Sequence, residues 1–319
     1  MKLRVIVLAC LCLLFVILVV FRWSDFSRSG FSSASEAPAP PAAPPAASPV
    51  PAPAGEAEWP QAKDYPWLAR YAPRETIAGR IAAPKGYDRL ETEPGTFARW
   101  LRHLPLKKAG TPVRLYNGRE KGDQGSHAAV IDIDTGGSDL QQCADAVIRL
   151  RAEYLFAVGK ADAIHFNFTS GDRADFARWC DGWRPSVQGN TVRWVRSAAP
   201  ADRSHETLRR YLETVFMYAG SASLSAEMTP VPKDEPVRIG DCLIRGGFPG
   251  HAVIVVDAAE DRRTGKQVML LAQSFMPAQD MHVLVNPSSP SLSPWYEADF
   301  DDILRTPHWT FRRNELKRF

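Results

Sequence analysis

Val5 to Phe21 is an unbroken run of seventeen apolar residues behind the basic head Met1-Lys2-Leu3-Arg4. A run of that length is at the lower limit of a spanning helix, about 17–25 residues, and exceeds the roughly 7–15 apolar residues of a cleaved signal core. We read residues 1–30 as an uncleaved signal anchor with its amino end in the cytoplasm. A cleaved signal peptide is the alternative. Val7-Leu8-Ala9-Cys10 has the look of a lipoprotein signal, but the apolar run continues past Cys10. Arg22 and Arg28 on the far side weaken the orientation signal from positive charge.

The next segment cannot build a core. The chain has 26 prolines against 21 glycines, and eight of the prolines lie between Pro38 and Pro53, interleaved with alanine. Residues 31–58 therefore read as a polyproline-II spacer, semi-rigid at about 3.1 Å per residue. Anchor and spacer together predict a single-pass protein of a bacterial inner membrane, held through residues 5–21, with residues 59–319 in the periplasm as a single domain. Secretion after signal cleavage is the alternative address. A net charge of +3 gives no basic footprint for nucleic acid. The 45% hydrophobic and 24% charged composition excludes a multi-span protein and a disordered chain.

Within residues 59–319 the patterning mixes helices and strands without βαβ alternation, which predicts the α+β class. Short elements are expected at Glu91–Leu104 (helix), Val113–Tyr116, His127–Asp134 and Ile164–Phe168 (strands). The strongest helix is expected from about Asp139 to Val158, capped by Ser138 or Asp139, each with a Gln three residues on. A second amphipathic helix is expected over His205–Ala219. Ala252–Asp257 and Gln267–Ala272 read as two strands of a hairpin about Arg262-Arg263-Thr264-Gly265, and Trp309–Arg312 as a last strand.

Three cysteines remain outside the apolar run: Cys143, Cys180 and Cys242. An exported protein can oxidise one pair and leave one thiol free. No CxxC and no paired His/Cys spacing supports a metal, and no cofactor is implied. Cys143 falls in the first turns of the strong helix, where unpaired N–H groups favour a thiolate. It also belongs to an apolar stripe with Leu140, Val147, Leu150 and Tyr154, which is the reading of a small core hydrophobe. His251 opens a strand after Pro249-Gly250, at the rim of a sheet. In the expected hairpin it lies almost opposite Phe275, so Gln273 is within diagonal reach on the same face. A register slip of one residue offers Ser274 instead. Nucleophile, base and orienter would then be Cys143, His251 and Gln273. His127, at another strand start, is the rival base. Gln141 and Gln142 are candidates for substrate binding at the helix start. Asp132, Asp134, Asp145 and Glu153 are the acidic candidates for glycan cleavage, although surface and capping roles account for most of them. Arg149 and Arg151 read as solvated helix charges. Trp179, Trp183 and Trp194 suit either sugar stacking or a core.

Cys143 leading a helix, then Gly240-Asp241 followed by Gly250-His-Ala-Val-Ile-Val255, resembles the papain-like hydrolases of the NlpC type, which are bacterial cell-wall amidases and endopeptidases. The resemblance covers about residues 139–155 and 239–274. It implies a papain-like core in which a central antiparallel sheet packs on a long Cys-bearing helix. It also implies thiol hydrolysis of an amide bond, with cell-wall peptide or glycan as partner. The chain lacks the usual Asp-Cys-Ser context, and 108 residues separate Cys143 from His251. A closer resemblance, over residues 84–319, is to a bacterial envelope family catalogued as a domain of unknown function. It rests on Asp139-Leu-Gln-Gln-Cys-Ala-Asp-Ala146, His165-Phe-Asn-Phe-Thr-Ser-Gly171, Gly250-His-Ala-Val-Ile-Val-Val-Asp257 and Ala272-Gln-Ser-Phe-Met-Pro-Ala-Gln279. A non-catalytic module that binds a wall glycan, a peptide or a partner protein is the second functional expectation.

Overall fold

A computed structural model describes residues 60–319 apart from Ala199. The expected anchor and spacer lie outside the described residues. Among the described residues no helix is long and apolar enough to cross a membrane.

Six α-helices are described: α1 (Ile77–Arg80), α2 (Phe97–Arg102), α3 (Cys143–Ala157), α4 (Phe176–Cys180), α5 (His205–Tyr218) and α6 (Ser221–Glu227). The strands are β1 (Tyr87–Arg89), β2 (His127–Val130), β3 (His165–Asn167), β4 (Arg173–Asp175), β5 (Trp183–Gln188), β6 (Thr191–Arg196), β7 (Thr229–Pro230), β8 (Cys242–Arg245), β9 (His251–Asp261), β10 (Gln267–Gln273), β11 (His282–Leu284), β12 (Tyr296–Glu297), β13 (Ile303–Arg305), β14 (Thr310–Arg312) and β15 (Leu316–Arg318). Nine strands form one sheet in the order β2-β11-β10-β9-β8-β15-β7, with β1 added to β9 and β12 to β10. All its pairings are antiparallel. The protein is thus mixed α and β, built on a large antiparallel sheet.

The centre of that sheet is the β9–β10 hairpin, and its sequence explains it. Both strands are β-branched and apolar, and Asp261 Oδ1 accepts the N–H groups of Arg263 and Thr264 to close the turn. Gly265 supplies the left-handed residue, at φ +68°. Side chains then alternate. Ala252, Ile254, Val268, Leu270 and Ala272 join the cluster beneath the helices, while Val253, Val255, Met269 and Leu271 face a smaller second core with Phe311 and Leu316. A bulge between Leu270 and Leu271 breaks the register, pairing Leu270 with Asp257 but Leu271 with Val255. The fully buried Asp257 carboxylate sits there and accepts from Arg89 Nε and Arg102 Nε, each at 2.7 Å, tying β1 and α2 to β9.

Helix α3 packs on the sheet with eleven of its fifteen residues buried. Its start differs from the sequence expectation. The first helical residue is Cys143, and the Asp145 carboxylate accepts the N–H of Gln142 at 3.1 Å. Asp139, expected to cap the helix, is drawn away by the chain: its Oδ1 accepts from Ala278 N and from Gln142 Nε2. Arg149 and Arg151 are likewise not solvated charges. Arg149 is sealed from solvent, and Arg151 lies over the rings of Phe97, Tyr154 and Phe319.

Val113–Tyr116 forms only single bridges, Arg114 with Glu120 and Leu115 with Gln279, and is no regular strand. The two ends of the sheet are short. Strand β7 is two residues, the second a proline. The carboxyl end of strand β2 is met on its outer edge by the chain at Pro105–Lys107, through Lys107 N to Val130 O and, just beyond the strand, Asp132 N to Pro105 O.

Candidate functional site

The start of β9 and the start of α3 meet at one rim of the sheet, where a groove of about 700 Å³ opens. Cys143 and His251 both line it, together with Gln142, Phe275, Met276 and Trp309. Its walls are mainly apolar. Two exposed side chains form its lips, Phe248 at 92% exposure and Met276 at 56%.

The two chemical groups reach this groove from opposite faces of the sheet. Cys143 comes on α3, from the helix side. His251 is odd-numbered on a strand whose odd positions before the bulge, Val253 and Val255, face the second core, and its ring packs among Phe275, Trp309 and Phe311 at centroid distances of 4.9, 5.3 and 5.8 Å. Burial pushes the imidazole pKa down to about 4, with His308 adding to the fall and the Gln273 hydrogen bond opposing it. Gln273 ends β10 on the same face, and its Oε1 accepts from His251 Nε2 at 2.8 Å. The ladder Leu271–Val255 and Ala272–Ile254, continued outward, sets Phe275 opposite His251. Ser274 turns the other way and donates to Gln279 O and Gln141 O.

Cys143 is partly buried and, with Cys180 and Cys242, carries a free thiol. The sequence left two readings of Cys143, a thiolate favoured by the helix start and a small core hydrophobe, and its surroundings bear on both. Burial pushes the thiol pKa up and the Asp145 charge adds to it. The backbone N–H groups of Ala252, Ala144 and Cys143 itself pull in the other direction without winning. Among the described residues the thiol makes no hydrogen bond to an imidazole. At neutral pH both groups are therefore uncharged, a thiol beside the Ala252 N–H and a neutral imidazole one residue earlier.

The loop that places Cys143 is held by a buried ion network on the helix side. Arg149 donates from Nε to Glu153 (2.5 Å), from Nη1 to Gln141 Oε1 (3.1 Å) and from Nη2 to Asp134 Oδ2 (3.1 Å). His205 Nε2 lies 2.9 Å from both Glu153 oxygens, and Arg209 donates to Asp134. Gln141 is thus buried and engaged at both ends, its Nε2 on Asp134 O; it holds the loop and does not line the groove. Gln142 does line it, with its amide donating to Asp139. The acidic candidates are dispersed in these roles: Glu153 and Asp134 in ion pairs, Asp145 at the helix start. Asp145 lies at the groove wall with Oδ1 buried and without a hydrogen bond, and burial raises its carboxyl to about 8.

His127 is not brought to Cys143. It lines a different groove with Arg80, Lys108, Thr111 and Gln124, its ring 6.1 Å from that of His282. Trp179 is core, while Trp183 and Trp194 flank Arg178 at 5.0 and 4.8 Å on the β5–β6 hairpin. Among the described residues no group of three His, Cys, Asp or Glu is arranged to hold a metal ion. Sequence reasoning did not single out His282, His308, Asp123, Phe248 or Met276. His282 sits in an apolar strand and His308 in a loop, and no local pattern links either to His251.

Fold and groove define a mixed α and β domain whose sheet rim holds a free thiol and a buried imidazole in one apolar cleft. Over residues 77–318 the chain matches a family described as a domain of unknown function, number 4846, and it belongs to that family. No curated protein and no solved structure matches it.

Proposed function

We propose that the rim groove is a thiol-hydrolase site acting on an amide bond of cell-wall or envelope peptides, on a domain carried by a membrane tether. The single observation behind this reading is that Cys143, at the start of a buried helix, and His251, held by Gln273, line the same groove. The resemblance of the sequence around Cys143 and His251 to papain-like hydrolases supports the same reading. Residues 1–58, on which the tether rests, lie outside those described.

In this reading the resting pair is neutral and draws together when substrate fills the cleft, since catalytic hydrogen bonds often tighten only in the complex. His251 takes the thiol proton as sulfur attacks the carbonyl carbon, then passes it to the departing amine, and water releases the acyl group from Cys143. The N–H groups of Cys143 and Ala144 serve the developing oxyanion, with Gln142 beside them. Phe248, Met276 and Phe275 favour an apolar flank in the substrate.

A second reading, a binding module for a wall peptide, glycan or partner protein, is favoured by the raised thiol pKa and by the thiol–imidazole hydrogen bond missing among the described residues. One experiment separates the two. Wild type and Cys143→Ala are incubated with purified wall fragments, and released peptides are counted. The hydrolase reading expects product from wild type and at least about a hundredfold less from the variant. Equal product from both excludes Cys143 as nucleophile. Equal retention of fragments by both, with no product, selects the binding module.

A further inference from the structure

On the sheet face that carries His251, two histidines without a role in the hydrolase reading converge on one amide. Gln273 Nε2 lies 3.4 Å from His282 Nε2 and 3.3 Å from His308 Nδ1. The proton positions of the whole cluster follow from its outer ends. His282 Nδ1 lies 2.9 Å from the backbone carbonyl of Asp280, which only accepts, so Nδ1 carries a proton. His282 is wholly buried, and its pKa is pushed down to about 3 by burial first, with Lys121, His127 and His308 adding to it; it is neutral, and Nε2 is a bare acceptor. The Gln273 atom facing it is therefore the amide nitrogen. The opposite amide orientation would set a carbonyl oxygen against that lone pair.

His308 completes the set. Its Nε2 lies 3.1 Å from Asp123 Oδ2, a carboxylate that accepts, so Nε2 is protonated and Nδ1 takes the second Gln273 N–H. Lys121 Nζ lies 3.3 Å from the same Nε2, but a bare Nε2 accepting from it would set the Asp123 oxygen against a lone pair and the Gln273 N–H against a proton on Nδ1; the ammonium, which donates to Ser126 Oγ at 2.7 Å, instead opposes a second proton on His308. Both N–H bonds of Gln273 are then taken by imidazole lone pairs, and its oxygen has one direction left, toward His251 Nε2.

We infer that His282 and His308 are positioning residues that lock the Gln273 amide, so that His251 is held as the Nε2–H tautomer with Nδ1 as its basic atom. The inference adds to the hydrolase reading the two side chains that fix its orienting amide, and rests on that reading only for its use. A tautomer fixed in advance spares the site a reorganisation when substrate arrives.

The test reads the proton directly. Full-length protein in detergent, labelled with 15N-histidine, is examined at about pH 7 by two-bond 1H–15N correlations, the seven histidines being assigned by single substitution. Expected are a protonated Nε2 on His251 and His308 and a protonated Nδ1 on His282. His282→Phe, which removes the acceptor, is expected to give a mixture of both His251 tautomers. His282→Gln, which keeps an acceptor oxygen, restores the single form. A proton on Nδ1 of His251 in wild type overturns the inference, as does a His251 signal unchanged in His282→Phe. The fate of the hydrolase reading is followed separately, by the peptides that wild type and His251→Ala release from purified wall fragments. With the tautomers as expected, release at least about tenfold lower in His251→Ala supports both ideas. No release by wild type, or release unchanged in His251→Ala, leaves the lock standing and removes the hydrolase.

Discussion

Two buried polar networks meet at the sheet rim from opposite faces, and they differ in kind. On the helix side Arg149, Glu153, Asp134 and Arg209 hold the loop before Cys143 with formal charges, and His205 Nε2 adds its contact to Glu153. On the other side Gln273, His251, His282 and the inner edge of His308 hold one another as neutral groups. A charged network tolerates no missing partner, because the remaining ion is stranded in low dielectric. A neutral one instead tolerates no added proton. The same rim is therefore vulnerable to substitution on one face and to acid on the other.

The sharpest way to break that contrast is Glu153→Ala. It strands Arg149, whose side chain is 1% exposed, and is expected to lower stability by about 3 kcal/mol or more in urea denaturation. A loss below about 1 kcal/mol would show that the half-exposed Asp134 suffices as counter-ion.

Next in size is the response to pH. His251 and His282 have folded pKa values of about 4 and about 3 against an ordinary 6.5. Between those values and 6.5 the unfolded chain binds protons that the folded chain refuses. Their contribution is thus fully present above pH 6.5 and is lost as pH falls toward 4. For His251 alone the loss is about 3 kcal/mol, at roughly 1.4 kcal/mol per pKa unit. Denaturant midpoints measured between about pH 7 and pH 4 check this, and His282→Gln should flatten the slope by about one proton. The raised Asp145 carboxyl works with the opposite sign over this range, so the deciding comparison is between wild type and His282→Gln, and equal slopes would mean that His282 accepts a proton when folded.

The smallest effect is expected at the groove lip. Phe248→Ser should change stability by less than about 0.5 kcal/mol, because the ring is 92% exposed. The same substitution should weaken retention of apolar-flanked wall peptides in a pull-down, and unchanged retention would remove Phe248 from the binding surface.

How much of this was legible in the sequence depends on the distance over which each feature is decided. The β9–β10 hairpin could be read from its apolar strands and its Asp261–Gly265 turn, and so could the diagonal of His251 and Gln273. The bulge could not, since an extra residue in one strand leaves no trace in an unbroken apolar run. The start of α3 was misplaced because Asp139 looks like a cap locally but bonds Ala278, 139 residues further on. The sequence could not choose between the two readings of the Cys143 thiol for a related reason: the helix start was visible, but the burial that opposes it was not. His282 joins the cluster through strand order, β10 beside β11, and His308 through the loop between β13 and β14, and no short motif encodes either.

The ends of the sheet carry a last consequence. At one end a proline withholds the N–H that a visiting strand would need, and at the other Lys107 N takes the carbonyl of Val130, the last residue of β2. Each end of the sheet is thus narrowed as a template for another chain, by a missing donor on one side and an occupied acceptor on the other.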